Sequence, residues 1–65
     1  MEQNVSLRIR AARKGRGISQ RDLARTLGMA QSTLSRIERG ERRVSVDQLI
    51  EIARALGVRP ADMLD

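Results

Sequence analysis

The amino-acid sequence predicts an all-α protein, a compact bundle of five short helices. Apolar residues recur at i, i+3, i+4 and i+7 in successive stretches, which lines them up on one face of a helix. No useful length alternates apolar and polar residues with period two, as a half-buried strand would. Serine and glycine fall where such helices would begin and end. The 65 residues are expected to form one domain over positions 1–65. A chain this short buries only about 60% of the surface its unfolded form exposes, so each buried contact counts heavily.

The first helix is expected to be capped by Asn4, with Val5, Ile9 and Ala12 on one face and Gly15 and Gly17 ending it. Ser19 opens the second, in the capping-box pattern Ser19-Gln20-Arg21-Asp22, weakened because Asp replaces the usual Glu. Leu23, Ala24 and Leu27 form its inner stripe, Ile18 lies just ahead, and Gly28 stands where a left-handed residue stops a helix. The third runs from about Gln31 to Arg39, is held down by Leu34 and Ile37, and stops at Gly40. A basic loop, GERRVS, follows. Ser45-Val46-Asp47-Gln48 is a second capping-box pattern and starts the fourth helix, whose stripe is Leu49, Ile52, Ala53 and Leu56 and whose stop is Gly57. Pro60 suits the first turn of a fifth helix, Pro60 to Leu64. The expected core is Val5, Ile9, Ala12, Ile18, Leu23, Ala24, Leu27, Leu34, Ile37, Leu49, Ile52, Ala53, Leu56, Val58 and Leu64.

Composition narrows the function. The chain has neither cysteine nor histidine, which removes disulfides and the usual zinc sites; no metal and no cofactor is expected. Without His, Cys or Tyr, and with no evident general base near any Ser or Thr, an enzyme is not expected. There is no Phe, Tyr or Trp to stack on the bases of a single strand. No stretch reaches the roughly 18–20 apolar residues that cross a bilayer, and the N-terminus lacks the apolar run of a secretory signal. A cytoplasmic protein of a bacterium or phage, associated with the nucleoid, is expected.

The charge points to a partner. Thirteen basic residues, twelve of them Arg, face eight acidic ones for a net charge of +5. Positions 1–43 hold eleven basic and four acidic residues, whereas positions 44–65 hold two and four. One half is thus strongly positive and the other slightly negative, the distribution of a polyanion-binding face. The surface of the third helix agrees. Around Leu34 and Ile37 it carries Gln31, Ser32, Thr33, Ser35, Arg36 and Arg39, hydrogen-bonding groups in place of the usual Glu and Lys. At about 100° per residue, Ser32, Arg36 and Arg39 point away from Leu34 and Ile37, with Ser35 to one side. Arg can pair with guanine O6 and N7, Gln with adenine N6 and N7, and Ser with several bases. Gln31, Ser32 and Arg36 are the expected base readers, with Ser35 beside them. Two short helices joined by a turn at Gly28 make a helix-turn-helix over about 20–39.

The stretch ISQRDLARTLGMAQSTLSRIERG resembles the helix-turn-helix of the Cro/repressor family, also called the xenobiotic-response-element type, to which the lambdoid phage repressors belong. The resemblance extends forward through LIEIARALGV and back into RIRAARKGRG. It implies a lambda-repressor-like DNA-binding domain with the third helix in the major groove of double-stranded DNA. It also implies that Gln20 bonds a phosphate and braces Gln31, and that Arg13 pairs with Glu38, leaving part of its guanidinium for a phosphate. Glu38 lies on the inward side of the third helix, where an unpaired carboxylate would be costly. Arg42, Arg43 and Thr33 are the other expected phosphate contacts, with Arg39, Arg8 and Arg10 weaker candidates. Two positions depart from the family: Ala30 and Arg59 stand where a capping Ser or Thr is common, and the fifth helix is expected to fray.

The family binds as two-fold dimers on palindromic operators. With the chain ending at Asp65, dimer contacts are expected near Val44, Pro60, Met63 and Leu64, a small surface suited to a weak homodimer assembled on DNA. The implied function is a repressor-like transcriptional regulator. An autoregulating antitoxin, a restriction–modification controller and the DNA-binding piece of a longer regulator share that fold. A protein-interaction module would keep the core and lose the base-reading side chains.

Overall fold

The computed structural model describes residues 2–64, and among them there are four α-helices, one 3-10 turn and no strand. The helices are α1, Glu2–Gly15, α2, Gln20–Leu27, α3, Gln31–Glu38, and α4, Val46–Leu56. α2 packs on α3 and α4, and α1 closes the other side against α3, α4 and the 3-10 turn. No helix among the described residues is long and apolar enough to cross a membrane.

Local chemistry accounts for α2 and α4. The Ser19 hydroxyl accepts from the Asp22 N–H at 3.0 Å. At Ser45 both halves of the box form: the hydroxyl accepts from the Gln48 N–H at 3.1 Å, and the Gln48 carbonyl accepts from the Ser45 N–H at 3.2 Å. Gly28 takes φ +68°, and the Met29 N–H then reaches back to the Ala24 carbonyl at 3.0 Å. That bond closes α2 and turns the chain into α3 within three residues. A side chain at Gly28 would meet no atom, so the demand for glycine there is conformational.

Two ends differ from expectation. α1 already runs at Glu2, so Asn4 lies inside it and is not its cap. Extending a formed helix by a residue costs far less than starting one, so the helix continues past the first residue able to cap it. The fifth element is a single 3-10 turn, Pro60–Met63, with i to i+3 bonds from Asp62 N–H to Arg59 C=O and from Leu64 N–H to Ala61 C=O. Its start is not left open. The Asp62 carboxylate accepts from the Arg59 N–H and from the Arg59 guanidinium, both at 3.3 Å. The guanidinium bond, then the backbone N–H, hold the Asp62 carboxyl below its ordinary value. What this contributes is present above the ordinary carboxylate pKa and is lost as pH falls through the lowered one.

The tighter turn exchanges two residues. Met63 is buried in the core at 1% exposure and Leu64 is half exposed, whereas the sequence reading placed Leu64 in the core and Met63 at a dimer contact. A 3-10 turn advances about 120° per residue where an α-helix advances 100°, and the chain leaves it extended at Leu64. Ile9, Leu23, Ala24, Leu34, Ile37, Leu49, Ile52, Ala53 and Leu56 complete the buried core. Val5, Ala12, Ile18, Leu27 and Val58 pack at its margin, joined by Met29, Val44 and Ala55.

α3 starts without a side-chain cap, because Ala30 has nothing to offer its first N–H groups. Ala30→Ser is therefore expected to raise stability by about 1 kcal/mol, read as a higher urea midpoint. No gain would mean that water already satisfies those groups as well as a hydroxyl does.

Candidate nucleic-acid interface

α3 lies with Leu34 and Ile37 fully buried and Gln31, Ser32 and Arg36 exposed; Thr33 and Ser35 are half-buried at its flanks. The Arg36 side chain is exposed and enters none of the hydrogen bonds or ion pairs described for α3, while its carbonyl accepts from the Glu41 N–H at 2.9 Å. The helix is secured by more than apolar contact. Arg13 from α1 donates Nε to Glu38 Oε2 at 2.7 Å and Nη2 to Glu38 Oε1 at 3.1 Å, a two-pronged pair. Glu38 is 4% exposed and Arg13 9%. Arg13 Nη1 also donates to the Ile18 carbonyl at 2.9 Å. Each of its three guanidinium nitrogens is thereby engaged inside the fold, and little of the group reaches solvent.

The same carboxylate organises the start of α2. Gln20 Nε2 donates to Glu38 Oε1 at 3.3 Å, and Gln31 Nε2 donates to Gln20 Oε1 at 3.4 Å. A chain of polar contacts therefore runs from α1 through α3 and α2 to the exposed tip of α3. Nothing in the spacing of Gln20 and Glu38, eighteen residues apart, announces that link. Beside it a concavity is lined by Arg10, Arg13, Gln20, Ser35, Glu38 and Arg39.

The remaining candidates divide. Arg42 and Arg43 are exposed on the loop after α3. Arg39 is exposed too, but it pairs with Glu41 at 3.1 Å, which offsets its charge. Of the residues expected at a dimer contact, Pro60 and Leu64 are exposed and Val44 is half-buried. Met63 is not available, because it fills the core. Val44 and Leu64 instead border an apolar groove of about 160 Å³ with Val5, Val46 and Leu49; Val46 is 73% exposed. Arg16 was not singled out in the sequence and has a structural post: it donates to the Gly57 carbonyl at 3.0 Å and so ties the α1–α2 loop to the end of α4. Among the described residues, no group of His, Cys, Asp and Glu could hold a metal ion.

A family model described as helix-turn-helix matches residues 9–63. The control protein C.BamHI of Bacillus amyloliquefaciens is 46% identical over 48 residues, spanning 74% of this chain and 59% of that protein. An uncharacterised HTH-type transcriptional regulator, y4dL, of Sinorhizobium fredii is 39% identical over 54 residues, spanning 83% of this chain and 28% of that protein. This chain thus spans less than two thirds of either. The crystal structure of the restriction–modification controller C.AhdI from Aeromonas hydrophila superposes with a TM-score of 0.89 at 32% identity, covering 95% of this chain and 94% of that one. With two short helices joined at a glycine turn and these likenesses together, the chain belongs to the helix-turn-helix family whose model it matches.

Proposed function

We propose that this protein is a sequence-specific, double-stranded DNA-binding regulator of bacterial transcription that works in the cytoplasm with α3 in the major groove. One observation supports this reading above the others. The face of α3 turned away from the core holds Gln31, Ser32 and Arg36 in the open, while its inner face is bolted down by Leu34, Ile37 and the Arg13–Glu38 pair. A firmly held helix with hydrogen-bonding side chains exposed along its outer face is what base readout needs.

In this reading Gln31, Ser32 and Arg36 read base edges, with Ser35 at the margin. Gln20, Thr33, Arg42 and Arg43 meet phosphates and set the register; Arg39 joins them once it leaves Glu41. Arg13 acts mainly as the structural partner of Glu38, since its nitrogens are already engaged. Two copies pair weakly through Val44, Val46, Pro60 and Leu64, and meet two half-sites about 34 Å apart. Restriction–modification control is the biological role we favour, because two such control proteins, C.BamHI and C.AhdI, are among its likenesses. No step of this function calls for catalysis, a cofactor or a metal.

Selection from a randomised duplex library, followed by sequencing, tests the proposal. An enriched palindrome is expected, with binding that weakens at a log–log salt slope near −0.9 per phosphate neutralised. A flat pool would overturn it. Within the selected site, Arg36→Ala is expected to lower affinity at least about tenfold, in line with roughly 1–3 kcal/mol for a bidentate base contact. Its melting temperature should stay nearly unchanged, since the Arg36 side chain is exposed. A uniform loss across all sequences would instead make Arg36 a phosphate contact.

A further inference from the structure

We propose that Glu41 holds Arg39 as an internal stand-in for a DNA phosphate, making this ion pair a brake on the protein's affinity for duplex DNA. The brake rests on the DNA-binding reading of α3 and concerns how tightly any duplex is held, not which one.

The pair is built by the end of α3. Residues two apart do not face each other on a helix. Gly40, at φ +75°, turns the chain back, and the Glu41 N–H then bonds the Arg36 carbonyl at 2.9 Å. The backbone thus fixes Glu41 beside Arg39. Two carboxylate oxygens meet two guanidinium nitrogens there: Arg39 Nε stands 3.1 Å from Glu41 Oε2, and Nη2 donates to Oε1 at 3.3 Å. An arginine takes a phosphate in the same two-pronged way. Both side chains are more than half exposed, at 57% and 55%. A phosphate can therefore replace the carboxylate without any unpacking of the core.

The surroundings give the exchange its consequence. Arg39 borders the concavity of about 220 Å³ shared with Arg10 and Gln20, and Arg42 and Arg43 follow Glu41 directly. Glu41 is the single acid from Arg39 to Val46. To bond a phosphate, Arg39 must give up Glu41, and the carboxylate is then left unpaired beside that phosphate. The positive charge Arg39 brings is offset by the negative charge it leaves behind. Phosphates are the same in every sequence, so the brake acts on all duplexes alike.

The experiment is duplex binding across a range of salt, on the selected site and on an unrelated duplex. It compares the wild type with Glu41→Gln, Arg39→Gln and the double variant, each checked for folding by thermal melting. Glu51→Gln, exposed on α4, makes the same change in net charge elsewhere. Glu41→Gln should tighten binding to both duplexes about fivefold or more at about 50 mM salt and steepen the log–log slope by about 0.9, as for one further phosphate neutralised. Glu51→Gln should have much the smaller effect, because distant exposed charges are screened. Arg39→Gln should weaken the wild type little, but should weaken the Glu41→Gln variant about fivefold or more under the same conditions. An equal loss in both backgrounds would mean that Glu41 acts by charge alone, and the brake is overturned. It is overturned too if Glu41→Gln changes neither affinity nor slope, or if Glu51→Gln matches it. If the wild type binds no duplex, the DNA-binding reading itself fails, and the brake fails with it.

Discussion

Glu38→Ala is expected to destabilise the protein by about 3–5 kcal/mol, the usual loss when one partner of a buried ion pair is removed. The magnitude is large for this chain. Typical values near 0.05–0.15 kcal/mol per residue put the whole domain at roughly 3–10 kcal/mol, so the variant should be largely unfolded at 37 °C. The cause is the Arg13 guanidinium, which would stay in the interior with only the Ile18 carbonyl to accept from it. Urea denaturation followed by circular dichroism measures the effect. Replacing both partners together, Arg13→Met with Glu38→Leu, should recover much of the loss, because no charge is then stranded. A loss under about 1 kcal/mol for Glu38→Ala would mean that water reaches the pair and that it behaves as a surface ion pair.

Leu34→Ala is the second large effect, about 2–5 kcal/mol. Leu34 is fully buried and faces inward from α3. The core has no aromatic ring to fill the space it would leave, and the neighbouring side chains are short aliphatics already in contact. At roughly 4–8 °C per kcal/mol for a domain this size, the melting temperature should fall by about 10 °C or more. DNA binding should persist at temperatures where the variant is still folded, because Leu34 lies on the face away from the proposed groove contact. Lost binding in a folded variant would show that Leu34 also sets the docking angle of α3.

The two effects differ in how visible their causes were. Leu34 could be assigned to the core from its spacing with Ile37, and its neighbour Arg36 to the outside by the same rule. Ser19, Ser45, Gly28 and Gly57 were legible as helix ends because a cap acts on N–H and C=O groups no more than five residues away. The last element was misread for a related reason. Met63 and Leu64 are adjacent apolar residues, and which one faces inward depends on whether the chain turns 100° or 120° per residue. That choice lies in Pro60 and the Arg59–Asp62 contacts rather than in any hydrophobic pattern. The expectation that Met63 would serve a dimer contact failed with it.

Two long-range contacts had no signal in spacing at all. Arg16 meets the Gly57 carbonyl across forty-one residues, and Gln20 meets Glu38 across eighteen. The sequence by itself determined an all-helical chain, the glycine turn between α2 and α3, and a third helix with one apolar and one polar face. Those follow from periodicity and capping, which act within a turn or two of backbone. Only the tertiary structure decided that Gln20 also meets Glu38, the contact that joins the tip of α3 to the buried ion pair. Side chains from three helices meet there only once the packing of α1, α2 and α3 brings them within hydrogen-bond distance.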